Sequence, residues 1–151
     1  MKLAQALQER SDLNRKIEEL RRRLGNCLLI QEGEEPPEQP EELIKELDDS
    51  TARLGQLIAA INITNCRTEA EGMTLTQIIA RKDALHLQLS AYRDMVYTAG
   101  SAYQRARGAE IRIIPMVKAS VLQKKADEIS AEIRRLDGLL QQTNWTADLM
   151  G

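Results

Sequence analysis

The stretch Lys118–Thr143, KASVLQKKADEISAEIRRLDGLLQQT, decides the fold. Within it Leu122, Ala126, Ile129, Ile133, Leu136 and Leu140 recur at alternating steps of four and three, which sets them on one stripe of an α-helix. Such a stripe is stable only against partner helices. Three earlier segments carry similar stripes. The chain is therefore expected to be all-α, an antiparallel bundle of about four long helices in a single domain spanning residues 1–151.

The earlier stripes place the other helices. Residues 2–24 carry Leu3, Ala6, Leu13, Ile17, Leu20 and Leu24 on one face, with Gly25 and Asn26 as the expected stop and Arg21, Arg22 and Arg23 in the last turn, where cations suit the helix dipole. Residues 41–63 carry Leu43, Leu47, Leu54, Leu57 and Ile61, with Ile44 and Ile58 as a second column. Two columns exceed what a two-helix seam needs, so the extra face is expected to be buried in a bundle or against another subunit. Residues 75–98 carry Leu75, Ile78, Leu85, Leu89, Tyr92 and Val96, interrupted by Lys82 and opened by Thr74 and Gln77 at capping-box spacing. With one Trp, three Tyr and no Phe, the core must be aliphatic, which suits closely packed helical seams.

Three connections stand out. Cys27–Pro40 holds Gly33, Pro36, Pro37 and Pro40, and its Leu28, Leu29 and Ile30 are expected to tuck against the bundle end or to pair as a short strand. Residues 99–108 read as a loop. Between 110 and 117 the β-branched Ile111, Ile113, Ile114 and Val117 alternate with Arg112 and predict a small β element, limited to an edge by Pro115. Its partner is expected in residues 28–31 or in another chain.

Charge narrows the functional classes. A formal net charge of −2 provides no global attraction to nucleic acid or to an anionic membrane. From Glu32 to Asp49 there are nine acidic residues against the single Lys45. From Ser101 to Lys125 the residues Arg105, Arg107, Arg112, Lys118, Lys124 and Lys125 oppose only Glu110. The basic segment is expected to meet the acidic one, within the chain or across an oligomer. Weak nucleic-acid binding through 105–125 is the alternative, and the scarcity of aromatic stacking platforms argues against it. Arg105, Arg107, Arg112 and Lys118 are thus candidates for an interaction surface.

Chemistry-bearing motifs are sparse. The apolar stretch after Lys2 is short and broken by Gln5, Gln8, Glu9 and Arg10, unlike a secretory signal, and no segment approaches the roughly 20 apolar residues of a membrane span. A cytoplasmic protein is the expectation. One histidine and two distant cysteines, Cys27 and Cys66, match no zinc motif, and no glycine-loop or nucleophile-elbow motif occurs. Asp83 and His86 form a helical i, i+3 pair of the kind found twice in di-iron bundles, but one chain supplies it once. Asn62, Thr64 and Asn65 with Trp145, and with Arg81 and Asp83 on the third helix, are candidates for a small polar pocket. No catalytic residue, metal ligand set or cofactor is assigned. A non-enzymatic protein that forms a homo-oligomer or binds a protein partner is the expected role.

A resemblance rests on five runs: Leu3-Ala4-x-Ala6-Leu7-x-Glu9-Arg10, Gln31-Glu32-Gly33-Glu34-Glu35-Pro36, Ile61-Asn62-x-Thr64-Asn65, Thr74-Leu75 with Arg81-x-Asp83-x-Leu85, and Asn144-Trp145-Thr146. Through them the chain resembles, over nearly its whole length, a bacterial family of short, uncharacterised helical proteins, some of which carry the name septicolysin. The resemblance implies a helical fold. The name implies a cytolytic or membrane-active role.

Overall fold

The computed structural model describes residues 1–102 and 111–151, arranged in two compact units. The architecture is all-α with one small antiparallel β element, and the expected stripe of the last helix is present. The readings that concern Tyr103, Arg105, Arg107 and Glu110 lie outside the described residues.

The first unit comprises Met1–Thr68 and Thr143–Gly151. Its core is an antiparallel hairpin of α1 (Leu3–Cys27) and α2 (Pro40–Arg67). Cross-helix ion pairs show the direction, because partner numbers fall as α1 advances: Glu9 with Arg53 at 2.6 Å, then Lys16 with Glu46 at 2.7 Å, then Arg23 with Glu38. Leu20, Leu24, Cys27 and Leu43 form a buried cluster with Leu47 against it. Burial of Cys27 carries α1 beyond the expected stop at Gly25 and Asn26. Arg21–Arg23 therefore lie outside the last turn, and Arg23 serves Glu38 in the connection rather than the helix dipole. Pro40 at the first position and Glu41 and Glu42 in the first turn open α2 as their chemistry requires.

The expected tucking of Leu28, Leu29 and Ile30 does not occur. All three are exposed, Leu29 at 90%, and none is in a strand. Gly33, at φ 89°, turns the connection in a conformation that costs glycine nothing, and Glu34 N donates to Gln31 O at 3.0 Å. These local bonds leave the three apolar residues outside. Of the second column on α2, Ile44 and Ile58 also remain partly exposed.

Residues 143–151 close this unit. Leu3 N donates to Ala147 O and Leu149 N to Met1 O, both at 2.9 Å, flanking a bridge between Lys2 and Asp148. Lys2 Nζ reaches Asp148 Oδ1 at 2.8 Å and the Thr146 carbonyl at 2.8 Å.

The second unit, Glu69–Gln142, begins with a hairpin of β1 (Glu69–Ala70) and β2 (Met73–Thr74), in register Glu69↔Thr74 and Ala70↔Met73. Its two turn residues, Glu71 at φ 51° and Gly72 at φ 76°, are both left-handed, as a type I′ turn demands. The β element thus lies here and not at 110–117. A two-residue turn brings its own partner strand, whereas the run Ile111–Val117 takes part in none of the described backbone hydrogen bonds and carries exposed side chains.

α3 (Leu75–Gly100) starts at the expected capping box, with Gln77 N donating to Thr74 Oγ1 at 3.2 Å and Thr74 N to Gln77 Oε1 at 2.9 Å. α4 (Ala119–Thr146) returns antiparallel to it. Leu85, Leu89 and Tyr92 pack with Ala126, Ile129 and Ile133. Lys82, which interrupts the α3 stripe, stretches to Asp137 at 2.8 Å, so its charge leaves the seam while its stem stays partly covered.

Two glycines provide a paired test. Alanine at Gly72 must adopt the left-handed turn conformation, whereas Gly138 lies in α4 with nothing within 4 Å of an added Cβ. Gly72→Ala is expected to lower unfolding free energy by about 1 kcal/mol. Gly138→Ala is expected to raise it by about 0.5–1 kcal/mol. Urea denaturation measures both, and a neutral Gly72→Ala would mean that the turn is not populated in solution.

Candidate functional site

The candidate polar residues fall in both units. In the first, Thr64 is fully buried and its hydroxyl is used twice, donating to Ala60 O at 2.8 Å and accepting from Met150 N at 2.9 Å. The run Asn62–Asn65 lies inside α2 rather than at its cap, because Ile61 and Thr64 are both buried and the helix continues to Arg67. Asn62 is exposed and Asn65 half-buried. Trp145, the aromatic candidate for the polar pocket, sits in the last turn of α4 and is 67% exposed. Thr64 is therefore a clasp for residues 147–151 more than a ligand group. Thr64→Val keeps the shape and removes the acceptor, and is expected to cost about 1 kcal/mol in urea melts. Thr64→Ser should recover most of that, and equal losses in the two variants would assign the effect to packing.

In the second unit Arg81 and Asp83 separate. Arg81 turns to α4 and meets Glu132 at 3.0 Å. Glu132 also accepts from Arg135 at 2.9 Å, and Arg135 donates to Glu71 at 2.6 Å. This chain of four charges ties the β-turn and α3 to one flank of α4. Asp83 and His86 are exposed, and among the described residues no group of three or more His, Cys, Asp or Glu side chains is gathered as a metal would need. Glu71, Glu132 and Arg135 escaped the sequence reading, although the i, i+3 spacing of Glu132 and Arg135 was a signal for their pairing.

These contacts hold carboxyl groups below their ordinary range. The hydrogen bond from Arg135 lowers Glu132, and its charge and that of Arg81 add to this. The hydrogen bond from Lys82 lowers Asp137, and its charge adds further. Arg53 does the same for Glu9, Arg23 for Glu38, Lys16 for Glu46 and Lys2 for Asp148. Carboxylates so held stay ionised at neutral pH and are poor proton donors there. A folded-state pKa below the unfolded value contributes stability above the unfolded value and loses it as pH falls through the folded one. Urea midpoints should therefore hold steady from neutral pH down to about 5, then decline in acid, and Glu132→Gln should flatten that decline. A fall beginning above pH 6 would point to a different group.

One concave feature among the described residues lies between the C-terminal half of α3 and residues 113–117, with Leu122 in its lining. It is a cavity of about 460 Å³, lined by Asp94, Met95, Thr98, Ala102, Ile113–Val117 and Leu122. The run read as a strand thus forms one wall of a groove. Of the basic candidates, Arg112 and Lys118 are exposed beside it. Within the acidic segment Glu38 and Glu46 pair with α1.

The fold and its paired charges define a small helical protein with a β-hairpin between its second and third helices. The chain belongs to the family of unknown function DUF6847, whose profile matches residues 10–149. It is similar to a solved structure described as a functionally unknown conserved protein from Corynebacterium diphtheriae, with 36% identity, 99% of each chain covered and a TM-score of 0.88. No curated protein matches.

Proposed function

We propose that this is a non-enzymatic cytoplasmic protein that acts by assembly, with further copies of itself or with a protein partner. The observation behind this reading is the apolar surface left in water. Ile111, Ile114, Met116 and Val121 are each more than half exposed, Met116 at 92%, and Leu28 and Leu29 add a second patch in the first unit. Soluble chains seldom leave runs of large apolar side chains open unless another surface covers them. The cytoplasmic part rests on Cys27 and Cys66, which no disulfide joins.

The cytolytic role carried by the name septicolysin is the competing reading. Among the described residues no helix is long and apolar enough to cross a membrane. A lytic role would have to work through the exposed run or through rearrangement. Sedimentation of the purified chain is expected to give a multiple of its 17.0 kDa mass, together with no dye release from neutral or anionic vesicles. A monomer at all concentrations that binds no protein would overturn assembly, and leakage would favour lysis instead.

A further inference from the structure

The geometry points to the groove between α3 and residues 113–117 as the contact face of a two-fold dimer of this chain. This rests on the assembly reading and names the surface and the occupant. The cavity floor is apolar, and the segment beside it is unusually open. Ile111, Ile113, Ile114, Met116, Val117 and Val121 are between 46% and 92% exposed. With Met95, 40% exposed and part of the same lining, they form the apolar centre of a face that must supply about 800 Å² per partner in a standard interface. The surface continues along the outward side of α3, where Ala80, Ala84, Leu87 and Ala91 recur at helical spacing and all are exposed. Small residues there allow close approach of another helix or segment.

Charge selects a second copy over an unlike partner. A two-fold interface must be complementary to itself. Asp94 is among the groove's lining residues and Arg112 lies on the exposed segment, so the same face carries one charge of each sign. A two-fold axis across the groove would match the Asp94 carboxylate and the Arg112 guanidinium of each copy with their opposites on the other. The apolar residues between them are then covered. Residues 111–114 take part in none of the described backbone hydrogen bonds, and the proposed axis would let them pair antiparallel with their symmetry mates.

The test is sedimentation velocity on the full chain over a wide concentration range, with far-UV circular dichroism to confirm that helix content is kept. The wild type is expected to dimerise, Ile114→Asp to be monomeric with unchanged helicity, and Leu29→Asp, on the other unit, to dimerise normally. Asp94→Arg and Arg112→Asp should each weaken the dimer about tenfold, since each change occurs twice across a two-fold axis, and their combination should restore most of the affinity. A dimer that survives Ile114→Asp but not Leu29→Asp would overturn this surface while leaving assembly intact. A double variant no tighter than the singles would overturn the Asp94–Arg112 pairing. A monomeric wild type would overturn the dimer, and leave the groove to an unlike partner or a small apolar ligand.

Discussion

An aliphatic core sets the terms for the whole chain. Leucine, isoleucine and alanine seams hold helices together strongly but discriminate poorly among neighbouring registers, because their contacts are short-range and non-directional. Register in each hairpin is set at the flanks. Glu9–Arg53, Lys16–Glu46 and Arg23–Glu38 mark α1 against α2, and Arg81–Glu132 and Lys82–Asp137 mark α3 against α4. Each exposed pair adds little stability alone. Their value is that a slipped seam would lose several at once.

The same logic explains what the termini of the first unit do. Lys2, Asp148, Thr64 and Met150 connect residues distant in sequence through directional bonds at the end of α2. Thr64 is buried on a face of α2 that also buries Leu43, Leu57, Ile61 and the polar Ser50, and its hydroxyl has both a donor role and an acceptor role. A buried hydroxyl is tolerated when its partners are present. Here those partners fix where the last residues run.

Helix number and direction were legible because they depend on periodicity, which the residues carry themselves. The Ala126-to-Leu140 stripe, the Thr74–Gln77 cap and the opening of α2 at Pro40 all follow from local chemistry. The helix ends were less legible: Cys27 and Thr64 extend their helices through burial, which depends on residues far away in sequence. The β element was misplaced because a composition signal at Ile111–Val117 outweighed a conformational one at Glu71-Gly72, where glutamate is an uncommon occupant of a left-handed turn position. Of the candidate site, Thr64 and Arg81 were found as polar residues with work to do, but their partners, Met150 and Glu132, required tertiary placement. The groove was visible only as an apolar run without a partner.

Pro115 explains why that run stays open. It has no amide proton to continue a helix, and its ring disfavours helical geometry at Ile114. α4 therefore cannot extend backwards to take Ile111, Ile113 and Ile114 into its seam; it starts at Ala119. The segment is left extended beside α3, with no described strand along it. Arg112 lies exposed within it. Ile111 and Ile114 stay more than half exposed, which is costly for large apolar side chains in water. Their cost is offset only if something covers them, and the helical hairpin beside them already provides the wall against which a second surface can close.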